Sequence, residues 1–281
     1  MHYAIEVVPL GDYADPRNIL RLAKAADAAG WEGLFVWDHL GYVWGAAASD
    51  PWVSLAAVAA VTTHLKVGVA VSPLPRYQPH VLARTLVSLD LLSSGRLILG
   101  AGLGAIPEEF TVFGGPGDTR QRAGMLDENL ALLEQFFSGE PVNHRGEYYI
   151  AEGITFTPLP LQRPRFPIWI GGESRAGLRR AARWDGWIAG TTDEHGQITK
   201  SPEALAEQAV YIQEHRTSEA PFDIALSGYT EPGQSDLPQA YAQAGCTWWL
   251  ESLHGYRGSV DEMLARVIAG PPNSTGQEPP P

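Results

Sequence analysis

Apolar runs of strand length begin at residues 3, 33, 66 and 96, separated by 30, 33 and 30 residues. That interval fits one strand, one helix and the two short loops that join them. YAIEVV (3–8) precedes a helix expected over 16–29, capped by Asp15, opened by Pro16 and ended by Gly30. GLFVW (33–37) precedes a helix over 51–63, with Asp50 and Pro51 in the same two roles. KVGVAV (66–71) precedes a helix over 79–92, and RLILGAG (96–102) is the fourth strand. The rhythm then breaks, because the next strand starts at 167, 71 residues after 96. Roughly one extra unit of chain is inserted there. It holds a helical stretch over 120–137, a hairpin-like segment (HRGEYY, then ITFTPL) and a Pro-rich exit.

Beyond the insertion, PIWIGGESRAGLRRAARWDGWIAGTT (167–192) reads as strand, paired glycines, helix (174–183) and a second short strand (187–189). Helix 202–215, strand 222–229, helix 236–244, strand 247–253 and helix 260–269 complete the pattern. Eight strands each followed by a helix predict an α/β fold, a (β/α)8 TIM barrel with an insertion after strand 4. The reading gives one barrel domain over 1–270, its insertion about 105–166, and a Pro-rich tail (271–281) without core-forming residues, expected to be disordered. An open doubly wound sheet is the competitor. Its support is GAGLGA (100–105), which fits G-x-G-x-x-G/A but sits in the fourth unit, with no ribose-binding acid after a second strand.

Charge and composition narrow the partners. A formal net charge of −12 argues against nucleic acid. A single cysteine, Cys246, excludes an internal disulfide and a Cys-rich metal site. No apolar run is long enough to span a membrane, and no signal peptide is evident, so a cytoplasmic protein acting on a small molecule is expected. Helix 51–63 is apolar on more of its surface than one core-facing stripe needs, which points to a homodimer.

In a barrel the chemistry gathers at the C-terminal strand ends. Here these supply Asp38 and His39, Ser72, Gly102 to Gly104, Gly171 and Gly172, Gly190 with Thr191 and Thr192, Ser227 and Tyr229, and Glu251 with His254. The set contains no adjoining carboxylate pair for glycoside hydrolysis and no zinc spacing, so no metal is expected; structural roles suit Glu251 and His254. At Gly171–Gly172 the backbone can approach a phosphate closely, and the amides of the following helix, the Ser174 hydroxyl and Arg175 favour an anion. GESRA (172–176) also resembles a serine hydrolase elbow, with Asp236 and His254 following in order; but Ala176 replaces the last glycine and no oxyanion loop is visible.

Taken together, FVWDHL (35–40), VSPLPRYQP (71–79), LDLLSSGRLILGAGLG (89–104), LDENLALLEQFFSGEPVNHRGEYY (126–149) and PLQRPRFPIWIGGES (160–174) resemble the bacterial luciferase-like family of flavin- and deazaflavin-dependent oxidoreductases. The resemblance implies the same barrel, and FMN or the deazaflavin coenzyme F420 as cofactor. It implies a ring lying over a third-strand bulge at Val69–Ala70, near Ser72 and Gly102. The cofactor phosphate would lie at Gly171, Gly172 and Ser174, near Gly190 and Thr191. His39 would exchange a proton with Asp38 orienting it, and Trp44 and Glu108 would line the substrate pocket. Sugar-phosphate dehydrogenases of the deazaflavin branch carry a Glu directly after the fourth-strand glycines, where this chain has Ala105, with Glu108 and Glu109 further on. The implied activity is hydride transfer or monooxygenation of a small organic substrate. A flavin-binding protein without turnover and a non-redox barrel enzyme for a sugar phosphate are the alternatives.

Overall fold

The computed structural model describes residues 1–190, 192–193 and 197–272. Among them eight parallel strands close into a barrel: β1 (His2–Val7), β2 (Gly33–Val36), β3 (Lys66–Pro73) and β4 (Leu97–Gly102) pair in sequence. After the insertion, which carries a short antiparallel pair, β5 (Val142–Arg145) and β6 (Ile150–Ile154), the barrel resumes. Its second half is β7 (Ile168–Gly171), β8 (Gly186–Ala189), β9 (Asp223–Gly228) and β10 (Trp248–Leu253), and β10 pairs with β1 to close it. The predicted TIM barrel is thus the observed fold, and the doubly wound sheet is excluded by closure.

The caps foreseen in the sequence do the predicted work. Asp15 accepts the Arg17 amide at the start of α1 (Pro16–Ala28), and Asp50 accepts the Val53 amide at the start of α2 (Pro51–Val61). α3 (Pro79–Leu92) opens on proline as well. Strand alternation separates two cores. Ala4, Phe35, Ile98, Trp169, Ala225, Trp248 and Leu250 fill the barrel interior. Ile5, Val7, Leu34, Val36, Leu99 and Leu226 face the helices in the larger outer core.

The insertion begins with α4 (Glu108–Thr111), a short helix that the sequence pattern does not distinguish from loop, and continues with α5 (Thr119–Phe137). It docks on the barrel through buried polar anchors. Asp90 on α3 is fully buried and accepts the Leu161 amide (2.7 Å), the Gln162 amide (3.0 Å) and Gln162 Nε2 (2.7 Å). On α5, Asn129 Nδ2 donates to the carbonyls of Leu74 and Tyr77, fixing the turn that leaves β3. The remaining helices are α6 (Arg175–Ala181), α7 (Pro202–His215), α8 (Asp236–Gln243) and α9 (Val260–Ile268). From residue 273 onward the Pro-rich tail lies outside the described residues.

Asp90→Ala removes three hydrogen bonds to one buried carboxylate. We expect a loss of about 3 kcal/mol in urea unfolding. Limited proteolysis should show new cleavage within 155–165. Cleavage there unchanged from the parent would mean that other contacts dock the insertion.

Candidate active site

One cavity of about 330 Å³ opens at the C-terminal ends of the strands. Seven of the eight strand ends reach it: Glu6 from β1, Trp37 to His39 after β2, Ala70 to Pro73 of β3, and Gly102 to Ala105 after β4. Gly171 and Gly172 follow from β7, Ile188, Gly190 and Thr192 from β8 and its loop, and Ser227 from β9. Its size is at the lower end for a small-molecule site. The exposed Gly172 and Gly190 leave one side of the mouth open to solvent.

The shape of this cavity depends on an irregularity in β3. Pairing with β4 shifts between Val69 and Ser72, and the Ala70–Val71 peptide is cis. The bulge thus takes in the Val69–Ala70 position implied by the resemblance, with the cis peptide one bond further on. Val69 points into the outer core, fully buried, while Ala70 and Val71 face the cavity. Gly102 and Gly171 flank Val71: a Cβ at Gly102 would lie 2.7 Å from Val71 Cγ2, and one at Gly171 would lie 2.9 Å from Cγ1. These two glycines are thus required by the valine as much as by any ligand. Gly172 is different, since a Cβ there would have open space, but its φ of 131° is a conformation that other residues rarely adopt.

Ser72 does not face the cavity; its hydroxyl donates to Asp38 Oδ2. Asp38 is 3% exposed and also receives the Tyr77 hydroxyl (2.7 Å) and the Arg76 guanidinium. Burial pushes its pKa up, and Arg76, Ser72 and Tyr77 pull against that shift. Every strong donor around Asp38 is therefore something other than His39. The partner of His39 is Glu109, whose Oε2 lies 3.1 Å from Nδ1. Glu109 is 1% exposed and accepts the Leu40 amide (2.7 Å) and Arg76 Nη1 (3.1 Å) as well. This corrects the expectation that Asp38 orients His39. Asp38 and His39 both line the cavity, but the Asp38 carboxyl is occupied by Arg76, Ser72 and Tyr77 while the His39 ring is held by Glu109.

The expected pocket residues also move. Glu108 is exposed and contributes its carbonyl to the Tyr42 hydroxyl, whereas Glu109 faces the site. Trp44 is 49% exposed and stands edge-on to His39, ring centroids 5.1 Å apart, outside the lining of the cavity. Trp37 lines the cavity instead, 5.7 Å from the His39 ring. Ser174 caps α6 by accepting the Gly177 amide (3.1 Å). Glu173 accepts the Gly190 amide (3.1 Å) and pairs with Lys200, tying the β7 and β8 loops together. Thr191 lies outside the described residues. No metal-ligating group of three or more side chains occurs among the described residues. Glu251 is fully buried and satisfied by Thr230, Trp249 and Arg257, a structural role.

Sequence reasoning missed Glu6, the most unusual group in the cavity. It is 1% exposed, accepts the Ser227 hydroxyl at Oε1 (2.9 Å), and its Oε2 has no hydrogen-bond partner among the described residues. Burial raises its pKa from 4.5 to about 7, with donors from Ser227, Trp37 and Ser252 opposing the rise. An acid in the middle of the apolar run YAIEVV, at an inward position, was the available signal.

A closed barrel whose mouth sets a carboxylate-held histidine beside bare glycine strand ends belongs to the (β/α)8 enzymes. The chain is a member of the luciferase-like monooxygenase family, whose sequence profile it matches over residues 3–259. It is an oxidoreductase of the luciferase-like type. An uncharacterized protein of Mycobacterium tuberculosis is 32% identical over 239 residues, covering 77% of this chain and 79% of that protein. A protein of Nakamurella multipartita named F420-dependent glucose-6-phosphate dehydrogenase is 34% identical over 180 residues, covering 62% of this chain but only 52% of its own length. Among solved structures, a monooxygenase of Streptomyces bottropensis superposes with a TM-score of 0.70 at 25% identity, covering 87% of this chain and 75% of that one.

The pKa of Glu6 makes a stability test possible. A carboxyl protonated in the folded state and ionised in the unfolded state makes stability fall as pH rises from 4.5 to about 7. The loss attributable to Glu6 is about 3 kcal/mol. Denaturant unfolding at pH 5 and pH 8 should show Glu6→Gln gaining on the parent by about that amount. Parallel pH curves would give Glu6 an ordinary carboxylate pKa.

Proposed function

We propose that this protein binds FMN or the deazaflavin coenzyme F420 at the barrel mouth and uses it for hydride transfer or oxygenation of a small organic substrate. The observation that carries the reading is the glycine-walled cavity. Ala70, Val71, Gly102, Gly104 and Gly171 form a surface with little side-chain relief, suited to a flat conjugated ring, with His39 beside it. The likeness to F420-dependent and monooxygenase relatives supports the same reading. The cofactor supplies the redox chemistry when bound, and the protein supplies position, dryness and proton exchange.

In this reading the cofactor phosphate lies at Gly171, Gly172 and Ser174, beside Gly190, where backbone is exposed at the open side of the mouth. Residues 1–270 act as one folding unit. His39 exchanges the substrate proton, and Glu109 holds its ring. Arg76 joins Glu109 to Asp38, so both carboxylates act as positioning groups. Hydride transfer is the reading we place first, because a carboxylate-held histidine at the rim is the equipment that alcohol or imine chemistry needs. No helix among the described residues is long and apolar enough to cross a membrane, consistent with a cytoplasmic enzyme.

The protein is further read as a homodimer through α2 and α3. Val53 (62%), Val61 (42%), Val81 (53%) and Leu92 (48%) are exposed there, around a groove lined by Trp52, Ala56 and Leu89. Light scattering at micromolar concentration should give the mass of two chains. Val53→Arg combined with Leu92→Glu should give one. A parent at the monomer mass removes the dimer.

The cofactor reading is tested by absorbance after mixing with each cofactor and desalting. Retention of FMN or F420 is expected, and retention of neither would overturn it. His39→Asn should then keep cofactor affinity within a few-fold and lower turnover roughly a hundredfold. Full turnover with an unchanged pH profile would reduce His39 to a wall of the pocket.

A further inference from the structure

Glu6 is placed where the known equipment of the site leaves a gap. β1 alternates Ala4 and Glu6 inward with Ile5 and Val7 outward, so the carboxyl is carried to the cavity floor by strand geometry. The Ser227 hydroxyl occupies Oε1; Trp37 and Ser252 stand beside the carboxyl, but Oε2 makes no hydrogen bond of full geometry among the described residues, and Glu6 lines the cavity. A buried carboxylate with a bare oxygen would be strongly disfavoured, whereas a carboxylic acid there keeps a donor for whatever enters.

Trp37, Ser252 and Ser227 surround the carboxyl as donors, and the acceptors nearby are committed elsewhere, so none of them takes its proton. After β2, Asp38 is taken up by Arg76, Ser72 and Tyr77, and His39 by Glu109. On β10, Ser252 stands opposite Glu6, Glu251 is committed to Thr230, Trp249 and Arg257, and His254 follows at the rim, 7% exposed. Beyond β9, Tyr229 lies under the Arg257 guanidinium. Neither His254 nor Tyr229 bonds to Glu6, and the influences on its pKa are burial and neutral donors, with no charge among them.

We propose that Glu6 is a second proton-exchanging group of the site, its Oε2–H donating to a bound substrate that carries an uncharged unsaturated group, an imine or an enone. This rests on the hydride-transfer reading above. In the reducing direction the substrate carbon gains a C–H bond with the electron pair delivered as hydride from a reduced flavin or deazaflavin. The substrate π bond breaks, and its electrons form a new N–H or C–H bond with the Glu6 proton as Oε2–H breaks. Glu6 is left as carboxylate, still receiving the Ser227 hydroxyl, and takes its next proton from water entering the open mouth. The site thus has two proton handlers in different places: His39 at the rim, held by a hydrogen bond to Glu109, and Glu6 on the buried floor.

The first test needs no cofactor. Infrared difference titration of the full chain should show a carboxylic acid carbonyl band lost near neutral pH in the parent and absent in Glu6→Gln. Ser227→Ala removes a donor to the ionised form, so it should move that titration to higher pH and keeps the test open should Glu6→Gln fold poorly. Loss of the parent's last acid band in the ordinary carboxylate range would overturn the proposal. The second test uses the chain loaded with reduced cofactor and mixed with cyclohexenone or with pyrroline, a cyclic imine. The parent should oxidise its cofactor, and Glu6→Gln should do so roughly a hundredfold more slowly with cofactor affinity unchanged. Equal rates overturn the role of Glu6, and a loaded parent inert to both probes overturns the substrate class. A parent that retains neither cofactor defeats the function proposed above, an outcome distinct from either, because the infrared titration still reads Glu6.

Discussion

One guanidinium serves two buried carboxylates at the barrel rim, and much of the site depends on that pairing. Arg76 contacts Asp38 after β2 and Glu109 on α4, and it donates to the Asp38 carbonyl as well. Asp38 and Glu109 are 3% and 1% exposed, so neither could remain charged there without a partner. The tie joins the end of β2, the turn after β3 and the first helix of the insertion. It also fixes where His39 can sit, because the second oxygen of Glu109 holds the Leu40 amide. Removing Arg76 would strand two carboxylates, a larger disturbance than losing either acid.

The cavity owes its flat wall to a steric constraint of a different kind. Where β3 bulges, Val71 turns toward the strands beside it, and the only side chain that Gly102 and Gly171 can carry is a hydrogen. Two strand ends are thereby stripped, and around Val71 the cavity wall is largely backbone. A sequence reader sees those glycines and assigns them to a phosphate or a ring. In the folded protein they answer first to Val71, and the ligand surface is a consequence of that packing.

The barrel was legible because its signals are local and repeated. The 30-residue rhythm, the Asp-Pro helix starts and the strand alternation each depend on a few neighbouring residues, and closure follows from their number. The C-terminal strand-end rule also located Asp38, His39, Gly102, Gly171, Gly172 and Gly190 near one opening. Partnership was not legible. Asp38 and His39 are adjacent in sequence, which suggests a pair, yet Arg76, Ser72 and Tyr77 take up the Asp38 carboxyl. The true partner of His39 lies 70 residues on, in an insertion whose docking depends on buried contacts such as that of Asp90. Glu108 and Glu109 differ by one helical step, about 100° of rotation, which decides between solvent and site. The third-strand bulge falls between Val69 and Ser72, and only pairing with β4 defines its extent.

Glu6 shows how the two cores of a barrel can set chemistry. A charged residue inside an apolar strand would ordinarily argue against burial, and five of the six residues of β1 are buried. The strand tolerates it because its inward face meets the cavity while its outward face supplies Ile5 and Val7 to the helix layer. The same burial that makes the ionised form unfavourable keeps the acid form ready near neutral pH. A cationic neighbour like Arg76 would have favoured the ionised form of Glu6, as it does against burial at Asp38. Burial raises both acids, but Asp38 is tied to a guanidinium and Glu6 only to neutral donors such as Ser227, which leaves the Glu6 carboxyl the freer of the two to exchange a proton.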